Sequence, residues 1–229
     1  MRILAVDTSS AVASCAIVDG EKLVCEEILN NGLTHSQTIM PMIESVMKRS
    51  GLETKDIDLF AAVTGPGSFT GLRIGVSAVK ALAHAADKPC VAVSTLEAMA
   101  YNLPFCEKLI VPIMDARRGE VYNGIYRFGG GELSVIREDR ALSIEELCED
   151  VNTLDCDAVF LGDGLPVFRE KIKEMLGDKA YFAPANLNAQ MAASAALVAQ
   201  KKEQINYSKL APVYLRKSQA EREREERGE

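Results

Sequence analysis

The 229-residue chain lacks the closely spaced cysteine and histidine pairs on which many metal and redox sites depend. It contains two histidines and no tryptophan, and its six cysteines never form a Cys-x-x-Cys pair. Because structural zinc sites use closely spaced cysteine and histidine ligands, this composition disfavours a zinc-binding module. We interpret the cysteines as reduced thiols of a cytoplasmic protein rather than as a disulfide framework.

Long apolar runs and an excess of positive charge are also lacking. No apolar run approaches the roughly 20 residues that a transmembrane helix needs, and the start of the chain has no signal-peptide pattern. The net charge is −7. Since nucleic-acid-binding proteins neutralise phosphates with lysine and arginine, this chain is not expected to hold RNA by itself. We therefore expect no membrane contact, and contact with tRNA only through a partner.

The first hundred residues have the pattern of three strands followed by alternating helices and strands. Short apolar runs predict strands at 2–6, 12–18, 21–29, 59–63 and 90–94. The turn Asp19-Gly20 is typical of a type I′ hairpin, in which both central residues have a positive φ. A three-stranded ribbon followed by such alternation indicates an α/β fold.

Two helices are predicted in this half. The first begins with the capping-box pair Thr34 and Gln37, contains Pro41 and ends before Gly51. The second covers about residues 70–86 and follows a glycine-rich turn, where Ser68 or Thr70 can cap it.

Both predicted helices carry apolar residues on more than one side. A helix of this kind is buried on several sides or faces a partner. Packing on the chain's own sheet must account for part of each helix, and adaptable methionines suit a contact surface. We assign a partner interface to Ile39, Met40, Ile43, Met47, Leu72, Val76, Val79 and Ala83.

The second half repeats landmarks of the first half in the same order. A shift of 108 residues aligns residues 3–7 with 111–115, so that an aspartate, Asp7 or Asp115, ends each strand. A shift of 97 residues aligns 61–67 with 158–164, where a glycine pair separates a strand from a helix. Coincidence between common strand–turn patterns is the alternative. Duplication predicts an N-terminal lobe at 1–102, a C-terminal lobe at 103–215 and a charged, solvated tail at 216–229.

Duplicated lobes with strand-ending aspartates resemble the actin-like ATPases. The resemblance implies a two-lobed RNase H-like α/β fold, in which each lobe is a mixed sheet flanked by helices. Proteins of this superfamily hold ATP phosphates between two hairpin tips that usually contain glycine. Here Ser9 and Arg117 stand where glycine would be, so we expect a degraded phosphate site and no cofactor.

The residues of that degraded site define a candidate vestigial nucleotide or anion site. They are Asp7, Thr8, Ser9, Gly65, Gly67, Ser68 and Asp115. Exposed N–H groups at the start of the second helix suit an anion, but the glycines are equally suited to a tight turn and close helix packing. The two aspartates have two interpretations as well, as Mg²⁺ ligands beside ATP or as caps of their own turns.

Four segments together are similar to the TsaB (YeaZ) family. They are residues 7–10 (DTSS), 65–75 (GPGSFTGLRIG), 115–122 (DARRGEVY) and 212–216 (PVYLR). The resemblance implies a non-catalytic subunit of the bacterial machinery that makes threonylcarbamoyladenosine in tRNA. Such a subunit pairs with the paralogous transferase TsaD, the P-loop ATPase TsaE joins the complex, and a homodimer is a further option.

Two enzyme functions remain as alternatives. One is an ATP-dependent phosphotransferase or acyltransferase of actin-like fold, with Asp7 and Asp115 at the phosphates. The other is a metalloprotease, after the older name "glycoprotease-like" for such proteins. The metal site of the paralogue uses a His-x-x-x-His pair on the first helix, whereas here Ile39 stands four residues after His35. One histidine cannot build that site, so no bound metal is expected.

Overall fold

The computed structural model describes residues 1–216, which contain ten strands, six α-helices and four short 3₁₀ turns. The strands are β1 (Arg2–Asp7), β2 (Ala13–Asp19), β3 (Lys22–Leu29), β4 (Leu59–Gly65), β5 (Cys90–Ser94), β6 (Leu109–Arg117), β7 (Glu120–Gly129), β8 (Glu132–Ser143), β9 (Ala158–Leu161) and β10 (Ala180–Phe182). The helices are α1 (His35–Ser50), α2 (Phe69–Ala86), α3 (Thr95–Ala100), α4 (Ile144–Thr153), α5 (Leu165–Leu176) and α6 (Ala192–Ala199). The predicted charged tail lies outside the described residues except for Arg216.

The strands form two sheets that share one topology. The first sheet has the order β3-β2-β1-β4-β5 and the second has the corresponding order β8-β7-β6-β9-β10. In each sheet the first three strands of the lobe are antiparallel, and the last two run parallel to the first strand. This repeated order confirms the predicted two-lobed, duplicated fold with a mixed sheet in each lobe.

Helices cover both faces of the first sheet. On one face, α1 and α2 bury residues such as Ile39 and Val76 against Phe60 of β4. On the other face, α6 packs Ala195 against Ala5 of β1 and Val63 of β4. Because burial of apolar surface stabilises a fold by about 25 cal/mol per Å², both helix layers contribute to the stability of this sheet.

Between the lobes lies α3, which packs Leu96 and Met99 against Ile110 and Tyr126 of the second sheet. The other face of that sheet is covered by α4 and α5.

The chain returns to the first lobe after it has completed the second. Besides α6, Ile205 forms a two-way backbone bridge with Cys90 of β5, with N···O distances of 2.8 Å. The lobe limits at 102 and 103 stay a prediction, but the segment from Ala192 onwards packs on the first sheet.

Two local predictions were wrong in detail. Asp19 pairs with Lys22, so Gly20 and Glu21 are the central residues of the hairpin. Among the two, positive φ is found at Gly20 alone (61°), which excludes a type I′ turn. Thr34 is the N-cap of α1, but its side chain accepts no capping hydrogen bond; the hydroxyl instead donates to Gln37 Oε1 at 2.9 Å.

Two helix boundaries are as predicted. Gly51 ends α1 in the left-handed conformation with φ of 65°. The hydroxyl of Ser68 caps α2 by accepting from the backbone N–H of Gly71 at 3.2 Å. None of the helices within residues 1–216 has the length and apolar content to cross a lipid bilayer.

Candidate functional site

A cleft of about 610 Å³ lies between the two lobes. Strand ends and turns from both lobes line it, together with the last described residues of the chain. Of the seven residues of the predicted anion site, Ser9, Gly67, Ser68 and Asp115 line the cleft directly. Asp7, Thr8 and Gly65 lie in the same turns, behind that surface. The structure therefore brings the predicted residues together, and their role in binding stays a prediction.

The aspartates at the ends of β1 and β6 cap their own turns in the same way. Asp7 Oδ1 accepts the N–H of Ser9 at 2.8 Å, and Asp115 Oδ1 accepts the N–H of Arg117 at 2.8 Å. The duplication thus extends to one hydrogen bond in each turn. Arg117 also has a φ of 68°, the conformation that glycine adopts most readily, and its guanidinium pairs with Asp115 at 3.1 Å. This geometry favours the turn-cap interpretation of both aspartates.

The glycines of segment 65–75 serve close packing between α2 and the turn after β1. A Cβ added to Gly67 would overlap the carbonyl oxygen of Ser9, and one added to Gly71 would overlap that of Thr8. The same approach allows Ser68 N–H to donate to Ser9 O at 2.7 Å and Thr8 Oγ1 to donate to Gly71 O at 2.8 Å. At least one N–H group of the predicted anion site, that of Ser68, is therefore already hydrogen-bonded within the chain.

Asp163 is a cleft residue that sequence reasoning missed. It lies between Gly162 and Gly164, in the segment that the 97-residue shift aligns with the turn before α2, and this alignment was the available signal. Gly162 approaches the Ile113 carbonyl so closely that a Cβ would overlap it. The turn thereby holds Asp163 beside Asp115 in the cleft.

Two carboxyl groups in this region have raised pKa values. Burial raises the pKa of Asp7 to about 6, against the lowering effects of its hydrogen bond with Ser9 and of His35. Burial, followed by the charge of Asp115, raises the pKa of Asp163 to about 6. At pH 7 both groups are still mostly ionised, and their negative charge is unfavourable for the phosphates of a nucleotide.

Replacing Asp7 by asparagine is expected to remove part of the pH dependence of stability. Because the folded state raises this pKa from 3.8 to about 6, folded protein binds more protons in that window than unfolded protein. The stabilising contribution is complete below pH 3.8 and is lost as the pH rises through about 6. Relative to wild type, Asp7→Asn should therefore gain about 2 kcal/mol between pH 4 and pH 7, measured by urea unfolding.

The asparagine variant keeps the oxygen that accepts from Ser9. Asp155→Asn is the matched control, because exposed Asp155 pairs with Lys179 and has a lowered pKa. Its stability relative to wild type should change in the opposite direction and by less. Parallel pH profiles for wild type and Asp7→Asn would contradict the assignment.

His35 has a structural position at the edge of the cleft. Its Nε2–H donates to the carbonyl oxygen of Ser10 at 2.6 Å, which ties the start of α1 to the turn after β1. Among residues 1–216, no three histidine, cysteine, aspartate or glutamate side chains are arranged to hold a metal ion.

Seven of the eight residues of the predicted partner interface are buried in the free chain, so they do not form an exposed contact surface. All seven lie between the first sheet and the two helices that cover it: Ile39, Ile43, Met47, Leu72, Val76, Val79 and Ala83. The physical reason is that α1 and α2 lie side by side on one sheet face, so these residues lie on the inner side of both helices. Ile39 also lines the depression between the two helices. Met40, which is 49% exposed, is on the outer side and stays a prediction.

The outer side of these helices forms a shallow, mainly apolar depression of about 620 Å³, which we call the helix groove. It is lined by Ser36, Ile39, Met40, Phe69, Thr70, Arg73, Ile74, Ser77 and Ala78. At one end, the Arg73 guanidinium carbon lies 3.9 Å from the centre of the Phe69 ring. An open apolar groove with an arginine stacked on an aromatic ring at its edge has the composition of a protein-binding surface.

Comparisons with known proteins give the family of the chain. Residues 30–224 match the family model described as TsaD, tRNA N6-adenosine threonylcarbamoyltransferase. The chain is 34% identical over 221 residues to the Bacillus subtilis protein named tRNA threonylcarbamoyladenosine biosynthesis protein TsaB, and the alignment covers 96% of each chain.

Solved structures agree with this relationship. A Pseudomonas aeruginosa protein described as similar to peptidase YeaZ matches with a TM-score of 0.79 and 25% identity, over 94% of this chain and 99% of that one. A ROK hexokinase from Thermus thermophilus, at 13% identity, shares the fold alone, with a TM-score of 0.52 over 88% of this chain and 99% of that one. Because the similarity to the Bacillus subtilis protein extends over nearly the whole of both chains, the chain belongs to the TsaB (YeaZ) family, within the wider group that the TsaD model describes.

Proposed function

We propose that the chain is a non-catalytic subunit of the machinery that makes threonylcarbamoyladenosine at adenosine 37 of tRNA, and that it supports the paralogous transferase TsaD. The observation that carries this proposal is the end-to-end similarity to a protein named for that biosynthesis. The match to the TsaD model supports a shared scaffold. Two proteins that share one fold suit a complex in which one protein catalyses the reaction and the other binds and supports that enzyme.

The geometry of the cleft supports a role without catalysis. Ser9 and Arg117 N–H groups bond to the aspartates of their own turns, and Ser68 N–H bonds to Ser9. These backbone groups are thus not free to hold a phosphate. An ATP-dependent phosphotransferase or acyltransferase would need these N–H groups reoriented. A metalloprotease has less support, because His35 is engaged with Ser10.

The helix groove is the surface that we assign to the transferase. Its partner would cover Met40, Ile74 and Ala78, and a stable interface of about 800 Å² per partner would extend well beyond them along both helices. A second copy of this chain is the alternative occupant. The TsaE-type ATPase and tRNA would join through the assembled complex in the cytoplasm. The net charge of −7 agrees with contact to tRNA through a partner rather than through this chain alone.

Reconstitution tests the proposed function. The chain, the cognate transferase and the ATPase are combined with tRNA, substrates and ATP, and each protein is omitted in turn. We expect modified adenosine in the complete mixture, a large loss when this chain is omitted, and no modification by this chain alone. Calorimetric titration of the isolated chain with ATP and Mg²⁺ should give no binding. ATP turnover by the isolated chain would overturn the non-catalytic assignment in favour of the phosphotransferase alternative.

A further inference from the structure

The segment 211–216, which we call the C-terminal strap, contacts both lobes at the mouth of the cleft. On the first lobe, Val213 N–H donates to the carbonyl oxygen of Thr64, at the end of β4, at 2.7 Å. Gly65 allows this approach, because a Cβ there would overlap the Val213 carbonyl oxygen, and its φ of 134° is also unfavourable for other residues. The strap is therefore fixed to the first sheet through its backbone.

Arg216 continues the strap onto the second lobe. Its guanidinium forms an ion pair with Glu120 in β7 and donates to the carbonyl oxygen of Ala116 in β6 at 3.3 Å. Both side chains of the pair are partly buried, with exposures of 20% for Arg216 and 37% for Glu120. The hairpin tip of the second lobe is thus tied to a segment that is bound to the first lobe.

Tyr214, between these two anchors, reaches the edge of the helix groove. Its ring stacks on Phe69 with a centroid distance of 4.4 Å, and its hydroxyl oxygen accepts from Arg73 Nε at 3.0 Å. Phe69 and Arg73 are also groove residues. The strap therefore positions two side chains, Phe69 and Arg73, that also line the surface where a partner would bind.

We propose that the C-terminal strap is a latch that links closure of the two lobes to partner binding at the helix groove. With Arg216 engaged on Glu120, Tyr214 holds Phe69 and Arg73 in the arrangement that the partner contacts. When the latch opens, these side chains lose their support and the partner binds less tightly. Because coupling between two sites is reciprocal, partner binding must also stabilise the closed latch. The inference rests on the proposed function in one respect, that the partner is the TsaD-type transferase.

The test uses Arg216, which lines the cleft and not the helix groove. We expect Arg216→Ala and Glu120→Ala each to weaken binding of the transferase about fivefold, as the loss of a partly buried ion pair implies. The double variant should be no weaker than either single one, and the charge swap Arg216→Glu with Glu120→Arg should recover most of the affinity. Lys179→Ala, which breaks an exposed ion pair with Asp155 elsewhere on the second lobe, is the matched control and should bind like wild type.

Hydrogen exchange gives a reading that does not depend on affinity. The Val213 amide should exchange faster in free Arg216→Ala than in free wild type, and the transferase should slow its exchange in wild type. If wild type binds the transferase and Arg216→Ala binds it equally well with unchanged Val213 exchange, the latch is overturned and the proposed function stands. If wild type does not bind the transferase, the proposed function fails, whereas faster Val213 exchange in the free variant still supports a latch between the lobes.

Discussion

Gly71→Ala is expected to lower the free energy of unfolding by about 2 kcal/mol, although alanine is the better helix former. A Cβ at this position would overlap the backbone carbonyl oxygen of Thr8, with the His35 ring and Ser68 Cβ close by. The Thr8 backbone cannot easily move away, because it directly follows the central strand β1 and its hydroxyl donates to Gly71 O. Such overpacking costs about 1–3 kcal/mol or more. This cost exceeds the gain of about 1 kcal/mol from replacing glycine within a helix.

Urea denaturation of the two proteins measures this difference. Gly129→Ala is the matched control, because no atom lies within 4 Å of the added Cβ and its φ is not positive. The control should stay within about 0.5 kcal/mol of wild type. A stabilised Gly71→Ala protein would show that propensity outweighs packing at this helix, and the close contact between α2 and the turn after β1 would be wrong.

Met40→Glu is expected to weaken binding of the transferase by about 100-fold, because a desolvated and unpaired carboxylate costs several kcal/mol. The fold should be unaffected, since Met40 is 49% exposed in the free chain. Val76→Glu at the neighbouring helix should behave differently. Val76 is 3% exposed and packs in the core, so this variant should unfold and lose binding only as a consequence.

Calorimetric titration with the transferase and thermal unfolding of each variant distinguish these effects. Val167→Glu is the matched control, because it places the same charge at a 62% exposed apolar residue on α5, far from the helix groove in sequence and on the other lobe. It should bind and melt like wild type. Unchanged affinity of Met40→Glu would show that the partner does not use the helix groove, and the interface would have to be sought elsewhere.

The sequence was sufficient for the architecture because the duplication left traces in it. The equivalence of Asp7 and Asp115 followed from a single shift, and the structure repeats even the hydrogen bond that each makes. Helix ends were also predictable where a single residue determines the cap, as with Gly51 at the end of α1 and Ser68 at the start of α2.

The helix faces could not be assigned from the sequence. Apolar residues occur on both sides of α1, so its periodicity does not tell whether Ile43 or Met40 meets the sheet. Similarly, α6 was not predicted, because it is alanine-rich and buried nearly all round and therefore has no polar side to mark its period. Non-local pairings, such as Arg216 with Glu120, leave no pattern in a single sequence.

The late return of α6 has a consequence for how the protein is made. Residues such as Ala5, Val18 and Val63 are covered by a helix that begins at Ala192. A nascent chain on the ribosome therefore exposes this apolar face until residues 192–199 have been synthesised. A truncated product that stops at residue 102 would carry the same uncovered surface permanently and would be prone to aggregation. The first lobe becomes self-sufficient only after α6 has been synthesised.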